Sequence, residues 1–262
     1  MAEGINIIVA APPEFSAAAK RPGCAVGHMS YKIGRGFRLY RSRRAPVTDG
    51  GFMVLDTTEF IGGGPLAALV ADVTDECRRR GFLGVVVDSG KLPGSLAQLA
   101  LSKTLAKMAA QINLLYFVPE SLAESGENAI VKVSTALSGG TLKRHISDAQ
   151  KKYGARRVAL EIERVCMDFM LPSHGGAGRE LTKETLNELI ERHKSAPLFS
   201  LDLMVNYFTY RDNKDVHFVL FDNAKSIEKK LKAGSRAGVE HAFLRYTSIM
   251  DIYDHIAPVQ DG

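Results

Sequence analysis

Short apolar runs rich in β-branched residues alternate with helical patterns along the whole chain. INIIVAA (5–11) reads as a strand, and YKIGRGFRLYRSRR (31–44) as an exposed hairpin in which Ile33, Phe37 and Leu39 are separated by glycines and basic residues. FMVLDTT (52–58) is a strand that GGGP (62–65) interrupts, with Pro65 suited to the first turn of a helix. The helix that follows ends in three arginines, favourable at a helix C-terminus, before GFLGVVVDSG (81–90), whose GVVVD (84–88) is the next strand. The 96–111 segment has the amphipathic 3.6-residue period, and INLLYFV (112–118) and AIVKVST (129–135) are strands. A helix ending at Gly154 leads to RVALEIE (157–163), and Thr182 caps a further helix. Residues 199–222 read as paired strands joined by a turn at Asp212-Asn213-Lys214; a helix and the strand 239–246 close the chain.

This βα alternation predicts a mainly parallel sheet covered by helices. Eight or so strands over 262 residues favour a single α/β domain, a closed (β/α)8 TIM-type barrel spanning 1–262, over an open doubly wound sheet. There is no GxGxxG at a first strand and no GxxxxGK[ST], so nothing calls for a nucleotide cofactor, and no cofactor is expected.

Composition changes the picture little. The chain is 45% hydrophobic and 24% charged, an ordinary globular balance. Its net charge of +5 is scattered and does not argue for nucleic acid. Cys24, Cys77 and Cys166 are far apart and odd in number, and His174 and His217 fit no ligand spacing, so neither a disulfide framework nor a metal site is expected. No apolar run reaches membrane-spanning length. The N-terminal stretch reads as a strand rather than a signal peptide, so a cytoplasmic location and a monomer are the default expectations.

The C-terminal third carries a resemblance. MDFMLPSHGGAG (167–178), NYFTYRDNKDVHFVLFDNAKSIEKKLK (206–232) and AGVEHAFLRY (237–246) are similar to glycoside hydrolase family 18, in particular its spore-cortex peptidoglycan glucosaminidase branch. Asp168, Leu171, Pro172, Gly175, Gly176, Ala177, Tyr207, Phe208, Tyr210, Asp212, His217, Asp222, Ser226 and Lys229 or Lys230 fit the order of that branch's motifs. The match is fairly specific over about 157–250, weaker but in phase upstream, and absent before residue 50. The resemblance implies a (β/α)8 barrel with a small α+β hairpin inserted at about 179–222, before the last strand. It also implies a context of N-acetylglucosamine polymers, peptidoglycan and sporulation in bacteria, chitinase-like in chemistry.

The family's catalytic strand reads in outline Asp-Gly-x-x-x-Asp-x-Asp-x-Glu, its last three acids alternating into the barrel mouth. The Glu protonates the glycosidic oxygen, and the preceding Asp orients the substrate N-acetyl group, which acts as nucleophile. Laid on Leu83–Gly90, the resemblance keeps the orienting acid as Asp88, replaces the inner acid by Val86 and the proton donor by Gly90. Family members also place Met-x-Tyr-Asp after the sixth strand, where this chain reads VSTALSGG (133–140), and a Trp on the eighth, where Arg245 falls near that position and the chain has no Trp. The expectation is a family 18-like pseudoenzyme: a barrel that binds a carbohydrate or another small polar ligand, or serves as a scaffold. The alternative is an active glycosidase with relocated carboxylates.

Candidate residues follow, each against a plainer role. Asp88 ends a strand at the site face of a barrel, or it pairs with a Lys or Arg. Asp56 and Glu59 line the mouth or cap a loop. Glu161 and Glu163 alternate on one strand and, facing inward, could replace the lost acid; otherwise Glu161 pairs with Arg245 or Lys132, itself on an inward phase. Asp88, Glu161 and Glu163 are thus the catalytic candidates, and Asp56, Asp88, Tyr116, Lys132 and Arg245 the ligand-binding ones. Arg38, Arg41, Arg43 and Arg44, with Arg35, form an anion-binding candidate or a solvated hairpin edge. The 62–65 loop could hold an anion at a helix N-terminus. Tyr207, Phe208 and Tyr210 read as the packed face of the inserted hairpin.

Overall fold

The computed structural model describes residues 4–34, 37–42, 49–90, 94–137, 139–171, 178–213 and 215–256. Strands β1 (Asn6–Ala11), β2 (Cys24–Ile33), β4 (Phe52–Asp56), β5 (Gly84–Asp88), β6 (Leu115–Pro119), β7 (Ala129–Ser134), β8 (Val158–Ile162) and β14 (His241–Arg245) lie side by side, all parallel, and β1 pairs with both β2 and β14. The ring is therefore closed, a (β/α)8 barrel as expected. Strand β3 (Leu39–Arg41) adds to the edge of β2 antiparallel, giving the hairpin expected over 31–44. Helices α1 (Leu66–Arg80), α2 (Leu96–Gln111), α3 (Leu142–Tyr153) and α5 (Ala224–Arg236) cover the outside.

Side chains alternate across each strand. Ile8, Phe52, Val54, Val86, Phe117, Ile130, Ala159 and Phe243 fill the barrel interior, with Phe117 edge-on to Phe243 at 4.9 Å and to Phe52 at 5.8 Å. The opposite set, including Val85, Val87, Tyr116 and Val118, packs beneath the helices. Gly27 of β2 faces this crowded interior: a Cβ there would meet Val54 Cγ2 at 3.1 Å and Ala10 Cα at 3.3 Å. Helix starts are capped by side chains at Ser95, Thr141, Thr182 and Asn223, the third as the sequence predicts.

Between β8 and β14 the chain builds a second, five-stranded antiparallel sheet. It comprises β9 (Cys166–Leu171), β10 (Arg179–Glu180), β11 (Leu198–Ser200), β12 (Val205–Asp212) and β13 (Asp215–Phe221), with α4 (Lys183–Arg192) on one face. The insertion therefore begins at Cys166 rather than at 179. Residues 166–171 belong to its sheet because β9 pairs along its length with β13. Phe208 and Tyr210 pack against α4, whereas Tyr207 lies on the opposite face beside Phe218 at 5.5 Å. Buried Asp168 gathers three donors: the Tyr210 hydroxyl at 2.9 Å, Arg179 Nη2 at 3.2 Å and His217 Nδ1 at 2.9 Å. The Tyr210 ring is stacked between His193 and His217 at 4.4 and 4.5 Å, and burial together with Asp168 pushes its hydroxyl pKa up to about 12.

The root of the insertion is pinned by a buried charge pair. Asp222 accepts from Lys230 Nζ at 2.6 Å, from the Ser226 hydroxyl at 2.7 Å and from the Val165 amide at 2.9 Å. Its own amide donates to Val165 O at 2.7 Å. Both crossings between barrel and insertion are thereby tied to α5.

Candidate functional site

The C-terminal ends of the barrel strands open on a polar cavity of about 560 Å3, floored by Val54, Val86 and Phe243 and walled by Asp88, Lys132, Glu161 and Arg245. A second cavity of about 730 Å3 lies beside it, over β2 to β4, and shares Met29, Val54 and Asp88 with the first. Apolar floor and converging polar walls are the usual make-up of a small-molecule site.

Two ion pairs line the mouth. Asp88, at the end of β5, accepts from Arg245 Nη2 at 3.0 Å on one oxygen and from the Gly90 amide at 3.1 Å on the other. Burial pushes the Asp88 pKa up, but the Gly90 amide, Arg245 and Lys132 together outweigh it and hold the carboxyl below its usual range. Lys132, on β7, donates to Glu161 Oε1 on β8 at 3.2 Å, and its ammonium lies 5.5 Å from the Phe243 ring centre. Arg245 also reaches the Met29 sulfur at 3.8 Å, so its side chain spans from β14 toward β2.

The alternation read from sequence thus brings Asp88, Lys132, Glu161 and Arg245 together. Glu163 also lines the cavity, but it lies past the end of β8, exposed, accepting from the Ser134 hydroxyl at 3.1 Å. Asp56 borders the second cavity and takes the loop-capping role: it accepts from the Thr58 amide at 2.9 Å and hydroxyl at 2.6 Å. Tyr116 is not a ligand contact. Leu115 and Phe117 hold the inward phase of β6, so Tyr116 points outward, wholly buried, its hydroxyl 2.8 Å from Ser102 Oγ on α2. Burial raises the pKa of that hydroxyl, and the Ser102 hydrogen bond offsets this only in part.

The arginine hairpin does not form a free anion site at Arg38, which grips Asp72 of α1 through Nε at 2.6 Å and Nη2 at 2.5 Å. Arg41 sits on β3; Arg35, Arg43 and Arg44 lie outside the described residues, as do Pro172 to Ala177 of the family-like motif. The 62–65 loop leads into α1 with Pro65 as its cap residue. Among the described residues no group of three or more His, Cys, Asp or Glu could hold a metal ion, and no helix is long and apolar enough to cross a membrane.

Sequence reasoning missed Met29 and Arg164. Met29 belongs to β2, hidden because its inward positions are Ala25, Gly27 and Met29. Arg164 walls the cavity while gripping Asp251 at 2.5 and 3.2 Å. The signal for it was its place immediately after the two alternating glutamates.

Gly90 has φ +70°, the left-handed region, and a Cβ there would meet Thr58 Cγ2 at 3.1 Å. The chain has already turned away from the strand at this residue, and its amide folds back onto Asp88.

No family model matches the sequence, and no match is found among curated proteins. Solved structures are similar in fold. The spore cortex-lytic enzyme SleL of Bacillus megaterium QM B1551 matches with a TM-score of 0.62 at 14% identity, over 93% of this chain and 71% of that one. A chitinase from Chromobacterium violaceum gives 0.64 at 13% identity, over 94% and 95%. A family GH18 chitinase from Cycas revoluta, in complex with allosamidin, gives 0.58 at 12% identity, over 94% and 96%. The chain is a family 18-like barrel in architecture.

Proposed function

We propose that the protein is a non-hydrolytic family 18-like barrel that binds a glycan segment or another small polar ligand in its mouth. The observation that carries this reading is the end of β5. Glycoside cleavage needs a carboxylic acid whose pKa is raised toward the working pH, so that it holds a proton to give. Here the strand offers Asp88, held below the usual carboxylate range and paired with Arg245, followed by a left-handed glycine. Glu161 is engaged by Lys132 and Glu163 by Ser134, which counts against the relocated-acid alternative.

The same groups suit binding. The carboxylates accept from ligand hydroxyls or amides, Lys132 and Arg245 donate, and the Phe243 floor offers apolar contact. The solved structures of similar fold, some named as chitinases or spore cortex-lytic enzymes, support a glycan containing N-acetylglucosamine as the first ligand to try. Calorimetry with an N-acetylglucosamine tetramer, beside a reducing-end assay on the same oligomer and on purified peptidoglycan, tests the reading. Binding that Arg245→Ala and Asp88→Asn weaken, with no release of reducing ends, is expected. Turnover by the wild-type chain would sink it.

A further inference from the structure

We propose that Lys132 is a covalent site, whose ε-amine forms an imine with a small aldehyde or ketone held in the barrel mouth. This goes beyond ligand binding and does not depend on the ligand being a glycan.

Three observations place a reactive amine here. Lys132 has only 7% of its side chain exposed, yet it lines the open cavity of about 560 Å3 at the end of its strand. Its ammonium has three donors, and Glu161 Oε1 is its one oxygen partner among the described residues; Phe243 covers another side. Finally, the pair is not needed as a fastener. Strands β7 and β8 are already held by their backbone ladder, in which Lys132 faces Ala159. Burying an ion pair is costly unless its remaining hydrogen-bonding capacity is met, and a Met would fill the same volume. A lysine with little exposure that faces a cavity is one setting in which amines attack carbonyls, and the carboxylate beside Lys132 is placed to carry its protons.

The step balances without a further reactant. Glu161 takes a proton from the Lys132 ammonium, leaving a neutral amine. Its lone pair attacks the carbonyl carbon, a C–N bond forms, and the carbonyl oxygen takes back the proton from Glu161 to give a carbinolamine. The nitrogen then loses its second proton through Glu161 to the hydroxyl, the C–O bond breaks and water leaves. The product is a protonated imine: one ammonium and one carbonyl give one iminium and one water. The Asp88–Arg245 pair lines the same cavity.

The test is reductive trapping on the whole chain. Pyruvate or glycolaldehyde is added at pH 7 with sodium cyanoborohydride, and every lysine peptide is quantified by mass spectrometry. Lys132 is expected to carry the adduct at tenfold or more above the median of the other lysines. Glu161→Gln should cut that labelling tenfold, and Lys132→Met should remove it without changing the surface lysines. The wild-type map decides by itself, so a variant that fails to fold does not spoil the answer. Labelling that follows surface exposure, with Lys132 no higher than the rest, overturns the proposal. Glycan calorimetry is read separately, so failure of the trap and failure of the binding reading are distinguishable.

Discussion

Two buried lysines in this molecule face the same physical problem and meet it differently. Lys230 is fully buried against a fully buried Asp222, and that carboxylate is saturated by Ser226 and the Val165 amide as well. No cavity described here touches it. Lys132 is nearly as buried, but its partner Glu161 is 32% exposed and the pair borders an open cavity. A charge pair shut in protein must be complete to be tolerated, because an unmatched partner keeps its desolvation cost. A pair at the rim of a cavity can be left incomplete, since water or ligand supplies what is missing. Completeness therefore separates a structural pair from one available for chemistry.

The same substitution at both sites sharpens this contrast most. Lys230→Met leaves Asp222 charged, buried and unpaired, and should cost ~3–5 kcal/mol in urea denaturation. Equal tolerance at the two sites would break the comparison. Next in size is Gly90→Glu. A non-glycine residue in the left-handed region costs ~1–2 kcal/mol, and the 3.1 Å approach to Thr58 adds to it. A lowered melting midpoint without gain of glycosidase activity is expected, because the backbone has already left the strand direction. Lys132→Met should change stability by less than ~1.5 kcal/mol, as a volume-conserving swap whose orphaned Glu161 can take up water, while ligand binding falls.

The smallest effect is a pH slope. Asp88 has a depressed folded pKa, so its contribution to stability is present above the unfolded value of about 3.9 and fades as pH drops through the lower folded one. Stability measured below about pH 4 should therefore fall less steeply in Asp88→Asn than in the wild type.

The barrel was legible where its strands are short apolar runs, as at GVVVD, and where charges alternate on neighbouring strands, as at Lys132 and Glu161. Both follow from the two-residue period of a strand. Strand β2 was not, because the closed barrel leaves its inward face room only for Ala25, Gly27 and Met29, and such a face carries no hydrophobic alternation. Tyr116 was misplaced because a run apolar on both faces does not declare its phase; only the packing of Phe117 in the barrel interior does. The start of the insertion was hidden for a related reason. Strand β9 buries an acid, Asp168, whose three donors come from β10, β12 and β13, residues far along the chain.

The chain leaves the barrel at Val165 and returns at Asp222, and these two residues are hydrogen-bonded to each other twice, at 2.7 and 2.9 Å. The excursion between them is in effect a plug-in with a single socket. A short linker across that gap could replace the whole five-stranded sheet while the eighth strand kept its place, and unrelated segments could be grafted at the same point. Such a junction lets the segment beside the mouth be exchanged wholesale while the barrel itself is kept.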